Sequence, residues 1–272
     1  MSEALDWRAW FAGADKASLL LVAGPCVVES YDICARVAEA LQEACLKEGF
    51  YYIFKASYRK ANRTRGTSFQ GIGDEAALAI LAQVRQNLGV PVLTDVHETV
   101  EIPAAAQVVD VLQIPAFLAR QTALLQAAGR TGKIVNIKKG QFMSPEAALF
   151  AAEKVVMTGN RQIFLTERGT FFGYSDLVVD FRSVPRMRTG GYPVLVDATH
   201  AVQQPNTSAG QTLGERAFVS LYAQLGVVAG ADGIFMEVHP EPVASPSDAA
   251  TMLSVEEARA LLPRLRRLYE AR

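Results

Sequence analysis

Short apolar runs alternate along the chain with longer segments in which apolar residues recur at helical spacing. The short runs are rich in Val, Ile, Leu and Phe, which is typical of buried strands. They predict strands at residues 19–23, 51–54, 91–94, 108–113, 133–137, 162–166, 193–197 and 233–237. The longer segments predict helices at residues 33–48, 76–88, 123–128, 145–157, 216–228 and 255–269. Strands and helices therefore alternate over most of the chain.

Eight strands that alternate with helices over about 250 residues favour a (β/α)8 barrel, the TIM barrel of the α/β class. A doubly wound open sheet is the alternative, but the turn after the first strand reads Ala-Gly-Pro-Cys and lacks a dinucleotide-binding fingerprint. No linker or low-complexity tract interrupts the pattern. We therefore predict a single domain over residues 1–272 with a short N-terminal extension. Two long polar loops, at residues 59–73 and 203–215, are candidates for functional segments.

Composition and charge narrow the classes of function. The 272 residues are 50% hydrophobic and 20% charged, and the formal net charge is −1. This balance argues against a general affinity for nucleic acid or for a membrane surface. Three cysteines, Cys26, Cys34 and Cys45, are too few and odd in number for a disulfide framework. We predict a cytoplasmic protein with no nucleic-acid or membrane partner, in which Cys34 and Cys45 belong to the core.

Reactive side chains follow the predicted strands, whose interiors are otherwise apolar. In a (β/α)8 barrel the carboxyl ends of the strands surround the active site, so these side chains would ring one mouth. They are Cys26, Lys55, Ser57, Asp95, His97, Gln113, Lys138, Lys139, Glu167, Arg168, Asp197, His200, Glu237 and His239. A single charged residue at a strand end is usually only solvated, but the repetition after every strand indicates a functional site.

The cations of this ring point to anionic ligands. They are Lys55, Lys60, Arg63, Lys138 and Arg168. Neighbouring cations repel one another, so a bound anion is the natural compensation. Because lysine and arginine are the side chains that bind phosphate, small phosphorylated molecules are the predicted ligands.

A second set of side chains is of the type that binds metal ions. It comprises Cys26, His200, Glu237 and Asp248, with His97 and His239 as reserve candidates. A thiolate with an imidazole favours zinc or iron, and carboxylates admit manganese. The spacing of these residues is scattered, so a small buried Cys26 without a metal is the alternative.

Seven motifs occur together and in order along the chain. They read AGPC at 23–26, KASYRKANR at 55–63, QIPAFL at 113–118, KKGQF at 138–142, TERG at 166–169, DATH at 197–200 and FMEVHP at 235–240. With these motifs the chain closely resembles the 3-deoxy-D-manno-octulosonate 8-phosphate synthases, from about residue 19 to residue 269. The resemblance implies a (β/α)8 barrel that condenses phosphoenolpyruvate with D-arabinose 5-phosphate and water and releases inorganic phosphate. The eight-carbon product feeds lipopolysaccharide synthesis in Gram-negative bacteria.

The resemblance also implies roles for individual residues. The residues that match the family's phosphoenolpyruvate site are Lys60, Lys138 and Arg168, with Lys55, Ser57 and Gln141 close by. The residues that match its arabinose 5-phosphate site are Asn62, Arg63 and Thr64. Gln113 is a further substrate-binding candidate. In the homotetramer that the resemblance implies, Phe117 and Arg120 lie near the active site of a neighbouring chain.

Members of the resembled family fall into a metal-independent and a metal-dependent branch. The metal-independent branch has asparagine at the position of Cys26. The residues Cys26, His200, Glu237 and Asp248 match the metal site of the other branch. The resemblance therefore implies a divalent metal ion such as zinc, iron or manganese.

The resemblance suggests an aldol-type addition, in which the methylene carbon of phosphoenolpyruvate attacks the sugar aldehyde. Water adds at the neighbouring carbon, and phosphate leaves by cleavage of a carbon–oxygen bond. The catalytic candidates are His200, Lys138, Asp95 and Lys60, with Asp95 as a proton acceptor.

Three alternative functions stay open at the level of sequence. The related 3-deoxy-D-arabino-heptulosonate 7-phosphate synthases typically have Lys-Pro-Arg-Thr after the second strand, whereas this chain has Asn62 before Arg63 and Thr64. A Schiff-base aldolase would use Lys55 or Lys138. A non-catalytic phosphosugar-binding barrel would lack a catalytic cation, and none of the matched cations is missing here.

Overall fold

Eight parallel strands form a closed barrel in the part of the chain that the structure describes. A computed structural model describes residues 10–11, 18–61, 69–171, 176–205 and 213–272. The strands are β1 (Leu20–Gly24), β2 (Tyr51–Lys55), β3 (Val92–Asp95), β4 (Val111–Ile114), β5 (Ile134–Lys138), β6 (Ile163–Glu167), β7 (Val194–Asp197) and β8 (Gly233–Glu237). Each strand pairs with the next along the chain, and β8 closes the barrel against β1. The predicted (β/α)8 barrel is confirmed.

Helices follow the strands and cover the outside of the barrel. They are α1 (Tyr31–Glu48), α2 (Asp74–Leu88), α3 (Ile102–Val108), α4 (Thr122–Arg130), α5 (Pro145–Val156), α6 (Ser183–Arg188), α7 (Val219–Val228) and α8 (Val255–Glu270). The six predicted helices are confirmed with small shifts at their ends. The short helices α3 and α6 were not predicted, because seven and six residues are too few to show a helical period.

Two apolar clusters hold the barrel together. The larger one lies between the strands and the helices, and it includes Cys34 and Cys45, as predicted. The smaller one fills the barrel from its amino-terminal end. The side chain of Trp10 belongs to this inner cluster, and its indole Nε1 donates a hydrogen bond of 2.9 Å to the Ser18 carbonyl. Strands that are buried on both faces explain the uninterrupted apolar runs of the sequence.

One inward-facing layer of the barrel departs from the predicted apolar interior. The buried side chains of Asn136 on β5 and Thr166 on β6 are both 0% exposed. They lie one layer above inward-facing Ile134 and Phe164 of the inner apolar cluster. The strand interiors are therefore polar toward their carboxyl ends, where the sequence analysis expected apolar residues.

Gly24 allows β1 and β2 to approach closely at the carboxyl end of the barrel. A Cβ atom at this position would lie 2.1 Å from the carbonyl oxygen of Lys55, which is closer than any side chain tolerates. The glycine therefore fixes the distance between Lys55 and Cys26, which follows β1 directly.

The two long loops are described only in part. In the loop after β2, residues 62–68 lie outside the described ranges, so the predicted sugar-phosphate residues Asn62, Arg63 and Thr64 lie outside them too. In the loop after β7, Gln203–Gln204 pairs with Leu213–Gly214 as a short antiparallel ribbon. Among the described helices, none combines the length and the apolar character needed to cross a membrane.

Candidate active site

The carboxyl ends of the strands surround a cavity of about 350 Å³. Its charged, polar and aromatic lining comprises Lys55, Lys60, Asp95, His97, Gln113, Phe117, Lys138, Gln141, Arg168, Asp197, His200, Gln203 and Asp248. Most of the predicted ring of reactive residues thus meets at one mouth. Three predicted members, Lys139, Glu167 and His239, do not line the cavity. Lys139 Nζ lies 3.3 Å from Glu167 Oε1, and His239 contacts Glu29 instead. Ser57, Cys26 and Glu237 lie directly behind the lining, where they are fully buried.

Two residues predicted to lie near a neighbouring chain differ in their relation to this cavity. Phe117 lines the cavity of its own chain and is 51% exposed. Arg120 is exposed and does not line the cavity. Arg120 therefore takes no part in the site as a single chain forms it.

Four cationic side chains within the described ranges are buried at the mouth. They are Lys55, Lys60, Lys138 and Arg168. The Nζ of Lys55 donates to Glu237 Oε1 at 2.7 Å, and that of Lys138 donates to Asp197. Carboxylates therefore offset part of the cation surplus that the sequence analysis counted.

Arg168 keeps a donor for a ligand. Its Nη2 donates to Gln203 Oε1 at 3.2 Å, whereas its buried Nη1 has no hydrogen-bond partner among the described residues. The backbone at this point is fixed by Glu167, whose carboxylate accepts hydrogen bonds from the amides of Arg168 and Gly169. Because an unpaired buried guanidinium donor is unfavourable, the geometry fits an anion in the cavity.

The Lys138 ammonium has a pKa that is shifted toward neutral pH. Burial lowers the pKa of Lys138 to about 8, although the neighbouring carboxylate of Asp197 raises it in part. The Nζ also lies 3.2 Å from the centre of the Phe235 ring, which favours the charged form.

Lys60 behaves differently from Lys138. Burial alone would lower the pKa of Lys60, but interaction with the nearby Cys26 Sγ and with the carboxylates of Glu237 and Asp248 raises it above its ordinary value. Lys60 therefore stays protonated. Its Nζ lies 3.9 Å from Glu237 Oε1.

Asp95 is held as an ionised hydrogen-bond acceptor. Its Oδ2 accepts from Ser57 Oγ at 2.6 Å, and its Oδ1 accepts from Gln113 Nε2. Burial raises the pKa of Asp95, but the charges of Lys55 and Lys60 outweigh burial and lower it to about 2. A carboxylate with so low a pKa is a weak base, which favours a positioning role over the predicted role as proton acceptor.

Cys26, Glu237 and Asp248 bring three potential metal-ligand atoms within 4.8 Å of one another. The Sγ of Cys26 lies 3.0 Å from Asp248 Oδ2 and 2.8 Å from Ser247 Oγ. Glu237 Oε2 is buried and has no hydrogen-bond partner in the described part of the chain. Burial, and then the charges of Asp248 and Glu237, raise the pKa of the Cys26 thiol well above its ordinary value. A cation between these groups would reverse that effect, so the donor set fits a divalent metal.

His200 lies beside this three-residue group rather than within it. Its Nε2 is 3.5 Å from Glu237 Oε1, and its Nδ1 is 2.7 Å from Asp197 Oδ2. The backbone amide of His200 also donates to Asp197 Oδ1 at 2.9 Å. Asp197 therefore sets the position of the imidazole, as carboxylates behind metal-binding histidines do.

The two reserve histidines are not part of the potential metal site. The Nδ1 of His97 lies 3.5 Å from Glu101, and the Nε2 of His239 lies 3.2 Å from Glu29. His97 still lines the cavity.

Comparison with known proteins identifies the family to which this chain belongs. A family model described as the DAHP synthetase I family matches residues 5–271. The chain belongs to this family. Within the DAHP synthetase I family, it is similar to the 2-dehydro-3-deoxyphosphooctonate aldolase of Magnetococcus marinus, with 50% identity over 93% of this chain and 88% of the relative. Proteins of the same name from Geobacter sp. strain M21 and Geobacter sulfurreducens are 50% and 46% identical, over 91% and 93% of both chains. The resemblance drawn from the seven motifs is confirmed.

Asp197 was predicted as part of the ring at the mouth, but it was given no role in substrate binding, metal binding or catalysis. Its carboxylate contacts both Lys138 and His200, and it is 0% exposed. Its place at the end of β7 was visible in the sequence, but its two partners lie on other parts of the chain. Spacing along the sequence does not reveal such contacts.

We expect the affinity of the cavity for sulfate, an anion whose own charge is constant here, to fall about tenfold between pH 7 and pH 9. The reason is that Lys138, with a pKa of about 8, loses its proton over this range. Isothermal titration calorimetry measures the affinity. Lys138→Arg, which keeps its charge, should bind sulfate with a nearly constant affinity. Identical pH profiles for the wild type and this variant would show that Lys138 is not the titrating group.

Proposed function

We propose that this enzyme condenses phosphoenolpyruvate with D-arabinose 5-phosphate and water, forming 3-deoxy-D-manno-octulosonate 8-phosphate and inorganic phosphate for lipopolysaccharide synthesis. The observation that carries the proposal is the cavity in which buried Lys60, Lys138 and Arg168 converge. Relatives named 2-dehydro-3-deoxyphosphooctonate aldolase, at up to 50% identity, support this product over the seven-carbon alternative.

Phosphoenolpyruvate is the ligand that we assign to the buried end of the cavity. The Nη1 of Arg168, which has no partner among the described residues, and the ammonium groups of Lys138 and Lys60 supply donors for a phosphate and a carboxylate. Gln141, whose buried Oε1 is unpaired within the described ranges, and Lys55 complete this end. In this arrangement the cations also reduce the repulsion between two anionic substrates.

Arabinose 5-phosphate is assigned to the open side of the cavity. Lys60 and Ala61, which line the cavity, lead into the segment that begins with Asn62. Arg63 and Thr64 match residues that hold the sugar phosphate in the resembled family. Their side chains are proposed to bind the phosphate, and Asn62 is proposed to bind the sugar.

The reaction places the methylene carbon of phosphoenolpyruvate against the sugar aldehyde. A new carbon–carbon bond forms, water adds to the neighbouring carbon, and the carbon–oxygen bond to phosphate breaks. Lys138 has a lowered pKa of about 8, which suits it to exchange a proton with a departing phosphate near neutral pH. Lys60 and Arg168 are proposed to hold the phosphate charge during this step.

We also propose that Cys26, His200, Glu237 and Asp248 hold a divalent metal ion. The support is the cluster of three ligand atoms within 4.8 Å, together with the adjacent imidazole. When bound, such an ion supplies Lewis acidity beside the substrates. Its charge would offset Glu237 and Asp248, so the neighbouring lysines would face the substrates with less of their charge compensated.

The proposed assembly is a homotetramer in the cytoplasm. Phe117, half exposed beside the cavity, offers a surface on which a neighbouring chain can pack. An exposed apolar stripe on and before α7 offers another, formed by Phe218, Leu221, Leu225 and Val228. Three free, buried cysteines suit a reducing compartment.

The proposed substrates predict release of inorganic phosphate only when phosphoenolpyruvate and arabinose 5-phosphate are both present. Erythrose 4-phosphate should support a kcat/KM at least about tenfold lower, because its phosphate cannot reach the same residues with the aldehyde in place. A colorimetric phosphate assay with each sugar measures both rates. Equal turnover with the shorter sugar would contradict the assignment.

The proposed metal site predicts that a chelator removes most activity and that added divalent ion restores it. Cys26→Ala should lower metal affinity by at least about tenfold, because a ligand atom is lost. Cys26→Asn should retain part of its activity in chelator, since asparagine is neutral and can hydrogen-bond to water or substrate. Phosphate release by the three proteins, with and without chelator, provides the comparison. Full activity of wild-type enzyme shown by elemental analysis to be metal-free would refute the assignment.

The proposed assembly predicts a mass near four times 29.5 kDa by light scattering at the assay concentration. Leu221→Glu with Leu225→Glu should shift the mass downward, because charges on the apolar stripe oppose association. A fully active monomer in the wild type would contradict the proposed tetramer.

A further inference from the structure

A continuous chain of side-chain hydrogen bonds crosses the barrel beneath the cavity. We call it the interior relay. Its members, in order from β6 to the loop after β2, are Thr166, Asn136, Gln113, Asp95, Ser57 and Lys60. It links five successive strands or strand ends at one level. The proposed function uses Lys60 at the cavity, and the sequence analysis named Gln113 and Ser57 as substrate-site candidates. Neither gives a role to Asn136 or Thr166.

The ionised carboxylate of Asp95 fixes the direction of every bond in the interior relay. An ionised carboxylate only accepts, so Gln113 must present its Nε2 to Asp95 and its Oε1 to the other side. Gln113 Oε1 then accepts from Asn136 Nδ2 at 2.7 Å. The remaining oxygen of Asn136 accepts from Thr166 Oγ1 at 2.8 Å.

The same argument holds on the other side of Asp95. Ser57 Oγ donates its single proton to Asp95 at 2.6 Å, so it can only accept from a third group. That group is Lys60, whose Nζ lies 3.2 Å from Ser57 Oγ. The position of the Lys60 ammonium at the cavity is therefore coupled to the orientation of the Asp95 carboxylate.

Burial leaves the interior relay with one arrangement. Asn136 and Thr166 are 0% exposed and Gln113 is 4% exposed. If the Gln113 amide flipped, its Nε2 would face Asn136 Nδ2, and its Oε1 would face the Asp95 carboxylate, which would lose a partner. If the Asn136 amide flipped, its Oδ1 would face Gln113 Oε1, acceptor against acceptor. Such unpaired polar groups are costly in a buried site, so Thr166 and Asn136 lock the amide of Gln113.

We infer that Asn136 and Thr166 are positioning residues for the proposed condensation. They hold the Gln113 amide in one orientation, and through Asp95 and Ser57 they set where the Lys60 ammonium meets the anionic substrate. This inference rests on the proposed function, because Lys60 is assigned there to substrate binding. Neither residue lines the cavity, so both act through Gln113.

The first test is a matched pair of variants at the far end of the interior relay. Thr166→Val removes the hydroxyl with little change of shape, whereas Thr166→Ser keeps it. We expect kcat/KM with phosphoenolpyruvate to fall about tenfold in Thr166→Val, the effect of one lost buried hydrogen bond, and to stay within about twofold of wild type in Thr166→Ser. Asn136→Ala should lose at least as much as Thr166→Val. Wild-type kinetics in both Thr166→Val and Asn136→Ala would overturn the inference.

A double-mutant cycle separates a relay from a local packing defect. Ser57 and Thr166 are separated in the interior relay by Asn136, Gln113 and Asp95 and share no hydrogen bond. Independent effects of Ser57→Ala and Thr166→Val on kcat/KM would therefore multiply. We expect the double variant to lose little more than the worse single variant. Gln141→Ala, which also lines the cavity but lies outside the interior relay, is the control that should combine multiplicatively with Thr166→Val. Multiplicative behaviour of both pairs would overturn the inference.

A binding measurement keeps this inference distinct from the proposed function. Wild-type turnover with arabinose 5-phosphate is measured first, and its absence would refute the proposed reaction. The sulfate affinity of the same variants reports the position of Lys60 without turnover. A lower affinity in Thr166→Val than in Thr166→Ser supports the positioning role in either case, and equal affinities together with equal melting temperatures would overturn it.

Discussion

Buried ion pairs between lysines and carboxylates are the interaction on which the rest of this site depends. Lys55 pairs with Glu237 and Lys138 pairs with Asp197 at the mouth of the barrel, where all four side chains are at most 6% exposed. Removing paired charges from water costs more than their attraction returns, unless further polar contacts complete the network. The Nη1 donor of Arg168 has no partner within the described ranges, so the polar network is incomplete at this atom. The proposed anionic substrate would supply this partner, so that binding and local stability would have the same physical origin.

The same electrostatic reasoning connects the anion site to the proposed metal site. Glu237 is shared, because it contacts Lys55 and lies within reach of Cys26 and Asp248. A divalent ion held there would compensate these negative groups and leave the lysines free to act on phosphates. The pKa of the buried Cys26 thiol is high, and one oxygen of Glu237 is unpaired among the described residues. A bound cation would lower this pKa and give the Glu237 oxygen a partner.

Much of this architecture could be predicted from the sequence, and the exceptions have physical causes. The apolar strand segments and the reactive residues that follow them predicted the barrel and most of the cavity lining. Both features can be read from the order of residues along the chain, without knowledge of contacts between distant segments. Asn136 was missed because it is a single polar residue within an apolar run. Thr166 was missed because it directly precedes the charged residues Glu167 and Arg168, which are the more obvious functional candidates at that strand end. The pairing of Asp197 with Lys138 was missed because it joins β7 to β5. The residue types suggested a metal-binding role for Cys26 but left a small buried thiol as the alternative, and only the family resemblance favoured the metal. The spacing could not decide, since Glu237 and Asp248 are more than 200 residues away in the chain.

The central claim is that the buried cations of the mouth hold a phosphorylated substrate. A diffraction structure of the enzyme with phosphoenolpyruvate tests it most directly. We predict the phosphate or the carboxylate within hydrogen-bond distance of Arg168 Nη1, with Lys138 and Lys60 on the same ligand. A ligand bound outside the mouth, or Arg168 Nη1 left without a contact to it, would contradict this account.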